Sequence, residues 1–202
     1  MKYLLILLLF VSCSKTQETI SNTNTNTELN NKELFTSTQQ YEIACWTIKK
    51  HEGFRNKSYR CSANKTTIGW GFTNVKSVKN IHDADIIFQK IVSKLFNQVN
   101  KEYPKLSYLQ KSAIVSLLYN TGDLDKIKNS GFSKQLSNNE IKKAIIKFKQ
   151  WNKVIVKNKI IVIKGLKKRR EYESKLLNNT FTMQDYYDLR KEIVTIYSQN
   201  KV

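Results

Sequence analysis

The chain predicts an α+β domain, mostly helical, with one small β-hairpin lobe. Three observations predict it. The 202 residues contain one proline and six glycines, so long stretches are free of helix breakers. Several segments carry apolar residues at helical spacing. One segment, residues 57–72, instead ends by alternating glycine with large apolar residues, Ile68-Gly69-Trp70-Gly71-Phe72. That pattern is strand-like and implies close backbone approaches.

The elements follow in chain order. Residues 1–12 read as an export signal: Lys2 supplies one positive charge, and a short apolar run continues to Val11. The run is too short for a comfortable membrane span. Phe10-Val11-Ser12-Cys13 resembles a bacterial lipoprotein box, with Phe where Leu is more usual. Cleavage would leave Cys13 as a lipidated N-terminus and the protein as a membrane-anchored lipoprotein facing the periplasm or cell wall. A plain secretory signal or an uncleaved anchor is the alternative, and each also takes the chain out of the cytoplasm. Residues 13–37 are polar, contain the repeat Asn22-Thr23-Asn24-Thr25-Asn26-Thr27 and lack apolar periodicity. They read as a flexible tether with a reach of roughly 25–30 Å.

Residues 38–180 are expected to form the main folded domain. Residues 41–51 are amphipathic, and Gly53 marks the helix end. Residues 83–103 place Ile87, Ile91, Leu95 and Val99 on one helical face, with Asp83 near the cap, and stop before Pro104. Residues 112–119 are largely apolar and predict a central buried helix. Residues 139–151 and 166–177 predict two more helices. Between them, residues 154–163 are β-branched and broken by Lys, which suits a small hairpin. Residues 182–198 predict a last helix within a C-terminal extension, 181–202.

Composition narrows the partners. Thirty-five Lys and Arg against 16 Asp and Glu give a net charge of +19. Such a surface attracts polyanions without naming one. An exported chain rarely meets nucleic acid, so no nucleic-acid partner is expected. Bacterial walls and anionic lipid surfaces fit better. No cofactor is expected. His51 and His82 have no ligand spacing around them; His51 reads as a helix-surface residue. A monomer is expected.

The chemistry concentrates in Glu52-x8-Cys61-x5-Thr67, with Gly53 directly after the acid and Thr67 opening Thr67-Ile68-Gly69-Trp70-Gly71. Glycosidic cleavage needs a proton donor at the leaving oxygen and a second group on the other face of the sugar. Glu52 is the candidate donor. The segment resembles the catalytic segment of the phage-type lysozymes, whose middle position is Asp or Cys. Two further blocks are similar to that family, in its order. Ser112–Gly122 is like its apolar helix ending in aromatic-Asn-x-Gly. Phe148-Lys149-Gln150-Trp151-Asn152, with Gly165-Leu166-Lys167-Lys168-Arg169-Arg170-Glu171-Tyr172-Glu173, is like its Trp followed by Gly-Leu-x-x-Arg-Arg-x-x-Glu.

The resemblance implies a lysozyme-like fold with the hairpin lobe beside an active-site cleft. It implies a peptidoglycan hydrolase cleaving between N-acetylmuramic acid and N-acetylglucosamine. Glu52, Cys61 and Thr67 would be catalytic; Trp70, Tyr119, Asn120 and Ser133 would bind substrate. An Asp at the middle position implies inversion, with carboxylate and Thr hydroxyl holding a water. Cys61 leaves three roles open. As a thiolate, favoured by Arg60 and Lys65, it could attack the sugar. It could stand in for Asp, or pair with Cys45 in a disulfide. A non-catalytic wall-binding lipoprotein with the same fold is the alternative to an enzyme.

Overall fold

The computed structural model describes residues 34–60, 66–156 and 159–200. Cys13, the export signal and most of the tether lie outside these residues, as does Cys61. The first helix, α1 (Ser37–Glu52), starts at a capping box. The Gln39 N–H donates to Thr36 Oγ1 at 3.3 Å and the Thr36 N–H to Gln39 Oε1 at 2.9 Å, satisfying two donors the helix cannot. It ends at Gly53, whose N–H reaches the Lys49 carbonyl.

The expected hairpin follows. Strand β1 (Arg55–Arg60) pairs antiparallel with β2 (Thr66–Gly69), Tyr59 opposite Thr67. A tight turn then brings Phe72 back onto Ile68 through two backbone hydrogen bonds of 2.8 and 3.0 Å. Helix α2 (Ile81–Glu102) is capped by Asn80, whose side chain accepts from the Asp83 N–H. Asp83, expected near the cap, is in the first turn, and its carboxylate reaches back to the Lys79 N–H at 3.0 Å.

Helix α3 (Tyr108–Thr121) is the centre of the fold. Every residue from Ser112 to Leu118 is buried. A helix apolar around most of its circumference is stable only when surrounded, and α1, α2 and α7 (Lys164–Leu177) pack against it. Two short helices, α4 (Leu124–Lys128) and α5 (Gly131–Ser137), lead to α6 (Ile141–Lys149). The β-branched segment forms a second hairpin, β3 (Lys153–Val156) with β4 (Lys159–Val162), whose strands pair only with each other. Phe132 and Phe148 close the core of this half, ring centroids 5.1 Å apart.

The last helix, α8 (Met183–Gln199), lies against α1. Trp46 stacks on Tyr186, and the Tyr186 hydroxyl donates to Glu42 at 2.6 Å. Lys50 pairs with Glu192 at 2.6 Å. Deeper in, Lys49 Nζ lies 2.7 Å from both Asp85 Oδ1 and the Tyr197 hydroxyl. It also sits over the Trp70 and Phe88 rings. Asp85 accepts from Trp70 Nε1 at 2.7 Å and from the Tyr197 hydroxyl. One carboxylate therefore joins α1, α2, the hairpin turn and α8.

Removing one partner of a shielded ion pair strands the other, which costs far more than an exposed pair contributes. Asp85→Ala should destabilise the domain by about 3 kcal/mol in urea unfolding, with Lys49→Met by itself costing less. A loss below about 1 kcal/mol for Asp85→Ala would show that water already screens the pair.

Candidate active site

Glu52 is the last residue of α1, so its side chain leaves the helix where the chain turns into the hairpin. Its side chain is 20% exposed. Oε1 is 2.5 Å from Nη1 of Arg169 on α7. Oε2 faces Gly71 in the hairpin turn. A Cβ at Gly71 would lie 2.6 Å from Oε2, and the Gly71 φ of +88° is one L side chains rarely adopt. Both facts reserve position 71 for glycine. The Thr-Ile-Gly-Trp-Gly motif therefore brings the hairpin backbone against the acid.

Arg169 is buried and fully engaged. Its Nε donates to Glu173 Oε1 at 3.0 Å, and its Nη2 to the Ser116 carbonyl at 3.1 Å and hydroxyl at 3.2 Å. The Ser116 hydroxyl donates to Glu173 Oε1 at 2.5 Å. Arg170 Nη2 donates to the same oxygen at 2.9 Å, and its Nε lies 2.8 Å from Glu173 Oε2 as an ion pair without hydrogen-bond geometry. The spacing 169, 170, 173 puts all three on one helical face. Two guanidiniums and the carboxylates Glu52 and Glu173 sum to no net charge. Burial alone would pull Arg169 down, but the Glu52 and Glu173 carboxylates more than offset it, so its proton is held above the usual arginine value. Burial pulls Arg170 down to about 10, against the opposing attraction of Glu173.

The other candidate residues divide. Thr67 is buried in β2. Tyr119, half-buried at the end of α3, donates its hydroxyl to the Trp70 carbonyl at 2.7 Å; burial raises that hydroxyl well above its usual range, so it stays a donor. It braces the turn that carries Gly71. Asn120 is exposed next to it. Two expectations are corrected. Trp70 has no exposed surface; its ring packs on Phe54, Phe88 and Tyr197 and supports the turn from beneath instead of meeting a sugar. Ser133 is buried on α5, its hydroxyl 2.5 Å from that of Tyr103, a contact between α5 and the end of α2.

His51 is not a surface residue either. It is half-buried edge-on to Tyr172. Burial, then the nearby Arg169, Lys50 and Arg170, pull it down to about 3, so it is neutral beside Glu52 at ordinary pH. Among the described residues Cys45 is a buried free thiol, pushed up to about 11 by burial, which makes it unreactive; its proposed partner Cys61 lies outside the described residues. Arg169 is the site residue that sequence reasoning missed. The available signal was two arginines and a glutamate on one face of a helix that ends in Leu176-Leu177.

The sequence matches the phage lysozyme family over residues 49–173, which is more than half of the chain. The chain belongs to that family. It is 30% identical over 136 residues to an endolysin of Acyrthosiphon pisum secondary endosymbiont phage 1, covering 65% of this chain and 92% of that one. Its fold is similar to that of the endolysin from Escherichia coli O157:H7 phage FAHEc1, with a TM-score of 0.60, 25% identity and coverage of 76% and 98% of the two chains. It also resembles the muramidase domain of SpmX from Asticaccaulis excentricus, with a TM-score of 0.59, 21% identity and coverage of 67% and 94%. The protein is a glycoside hydrolase of the lysozyme type. Helix α8 lies beyond the family match, yet its Tyr197 shares Asp85 with Trp70 of the hairpin turn.

Gly71→Ala should cut glycan cleavage about 100-fold, because its methyl displaces the Glu52 carboxyl and misplacement near 1 Å has that order of effect. Gly122, which closes α3 at φ +72° with open space around a Cβ, is the control. Gly122→Ala should cost about 1 kcal/mol of stability and little activity. Equal activities in the two variants would contradict the reading of Gly71.

Proposed function

We propose that this protein hydrolyses the glycan of peptidoglycan between N-acetylmuramic acid and N-acetylglucosamine, with Glu52 as general acid. The observation that carries the reading is the asymmetric hold on Glu52. Arg169 fixes Oε1, while Oε2 faces the hairpin backbone at Gly71 and carries no hydrogen bond among the described residues. Oε2 is the oxygen that brings a proton to the leaving glycosidic oxygen. A glycan laid over Oε2 would exclude the remaining water from the site. As the C–O bond breaks, the proton passes to the departing sugar, and the resulting carboxylate is stabilised by the guanidinium already beside it.

Cys61, outside the described residues, would supply the second group. As a thiolate it attacks the anomeric carbon, and water then releases the sugar with its configuration retained. As a replacement for Asp it holds that water, and the configuration inverts. Thr67, on β2, would orient the water or the sugar in either case. The cell wall is the site of action, and Cys13 the lipid anchor that keeps the enzyme there. Among the described residues no helix is long and apolar enough to cross a membrane; the proposed anchor is the lipidated Cys13.

Glu52→Gln keeps the shape and one oxygen that can accept from Arg169, but cannot give a proton. Turbidity clearing of purified walls should fall by at least about 1,000-fold, with the circular dichroism unchanged. Clearing within about threefold of wild type would remove Glu52 from the chemistry. NMR of the first product anomer decides Cys61: retention supports the covalent route, and inversion excludes it. Mass spectrometry of the mature N-terminus tests the anchor, since an unmodified Cys13 is incompatible with it.

A further inference from the structure

The β3–β4 hairpin plays no part in the site around Glu52, and its exposure is not that of an ordinary surface loop. The register pairs Lys153 with Val162 and Ile155 with Ile160. Directly opposed residues share a face, as do residues two apart on one strand. Lys153, Ile155, Ile160 and Val162 therefore lie on one face. Ile155 is 76% exposed, Ile160 70% and Val162 53%. β-branched apolar side chains this open, side by side, mark a contact surface more than a folding requirement.

Lys153 also joins that face to a second feature. At the foot of the hairpin a pocket of about 330 Å³ is lined by Lys126 of α4, Lys147 of α6, Lys153 of β3 and Trp151, with no carboxylate in its wall. Lys126 Nζ sits 5.7 Å from the Trp151 ring centroid. The surrounding sequence is as one-sided. Residues 141–170 contain ten lysines and two arginines and no Asp or Glu, although the chain as a whole has 16 acids.

We propose that this hairpin face and the basic pocket at its foot form a docking surface for an anionic phospholipid bilayer. Ile155, Ile160 and Val162 enter the acyl boundary. Trp151 sits at headgroup level, where an amphipathic ring is favoured. Lys126, Lys147 and Lys153 take lipid phosphates. Apolar insertion and phosphate attraction add, which is how weak single contacts become stable attachment. The charge selects this occupant over a second copy of the chain. Two molecules of +19 repel, and lysines on both strands blunt edge-to-edge pairing. An isoleucine tip offers a glycan no hydrogen bonds. The surface is distinct from the N-terminal lipid and from the cleavage site, and it would orient the domain on the membrane.

The test compares the full chain with Ile155→Ser/Ile160→Ser and with Lys126→Gln/Lys147→Gln/Lys153→Gln, all carrying the same N-terminal segment. Co-sedimentation is measured with phosphatidylglycerol-containing vesicles and with phosphatidylcholine vesicles. Wild type should partition onto the anionic vesicles at least about tenfold more strongly than either variant. The difference should shrink with salt for the lysine set. All three proteins should cleave solubilised glycan equally. Equal partitioning of wild type and variants would overturn the proposal, as would wild-type binding indifferent to lipid charge. So would a loss confined to purified walls, or a dimer of wild type that the isoleucine substitutions abolish.

Discussion

The Arg169 guanidinium is the contact on which the arrangement of the site depends. It sits inside the domain and touches three helices: Glu52 at the end of α1, Ser116 within α3 and Glu173 of its own α7. A buried charge is tolerated only when partners replace the lost water. Here the replacement is complete in charge, two arginines against two carboxylates, and Arg169 is hydrogen-bonded through Nε, Nη1 and Nη2, while Arg170 is hydrogen-bonded through Nη2. The requirement explains a polar residue at the centre of the most buried helix. Ser116 is small enough to fit there and supplies both a carbonyl and a hydroxyl to the cluster. It also explains why the acid stands where it does, since Glu52 is the cluster's one member that reaches solvent.

The last turn of α1 is held from two sides. Glu52 is drawn to α7 by Arg169, and Lys49, three residues earlier, is drawn to α2 and α8 by Asp85 and Tyr197. The hairpin turn is seated between these holds. Trp70 gives its ring N–H to Asp85 and receives the Tyr119 hydroxyl on its carbonyl, while Gly71 closes onto Glu52. Position of the acid relative to the hairpin is thus set by packing and buried polar contacts on rigid elements, with glycine required at the point of closest approach. The C-terminal helix, outside the part of the chain that matches the family, takes part in this through Tyr197.

The helical framework was legible because its signals are local. Periodic apolar residues, Pro104 and Gly53 place α1, α2, α3, α7 and α8 to within a few residues, and the β-branched run reads as the hairpin it is. α4 and α5 were not legible, since five and seven residues are too few for periodicity to show. Trp70 and Ser133 were misread for a different reason. Motif membership brings residues near a site but does not say which way they face, and an alternating strand sends half of its side chains inward. His51 was misread in the same way: one helical turn can be polar in sequence and covered in the fold. The link from Arg169 to Glu52 spans 117 residues of sequence and depends on how α1 and α7 meet across α3, which no local pattern encodes.

The most direct test of this dependence is the glycan-cleaving activity of Arg169→Lys, measured as kcat/KM beside its thermal stability. Lysine keeps the charge but lacks the fork that serves Glu52, Ser116 and Glu173 together. If the guanidinium positions the acid, kcat/KM falls about 100-fold while the protein still unfolds cooperatively, and Glu52→Gln added to Arg169→Lys lowers activity no further than Glu52→Gln alone. Activity of Arg169→Lys within about threefold of wild type would contradict it.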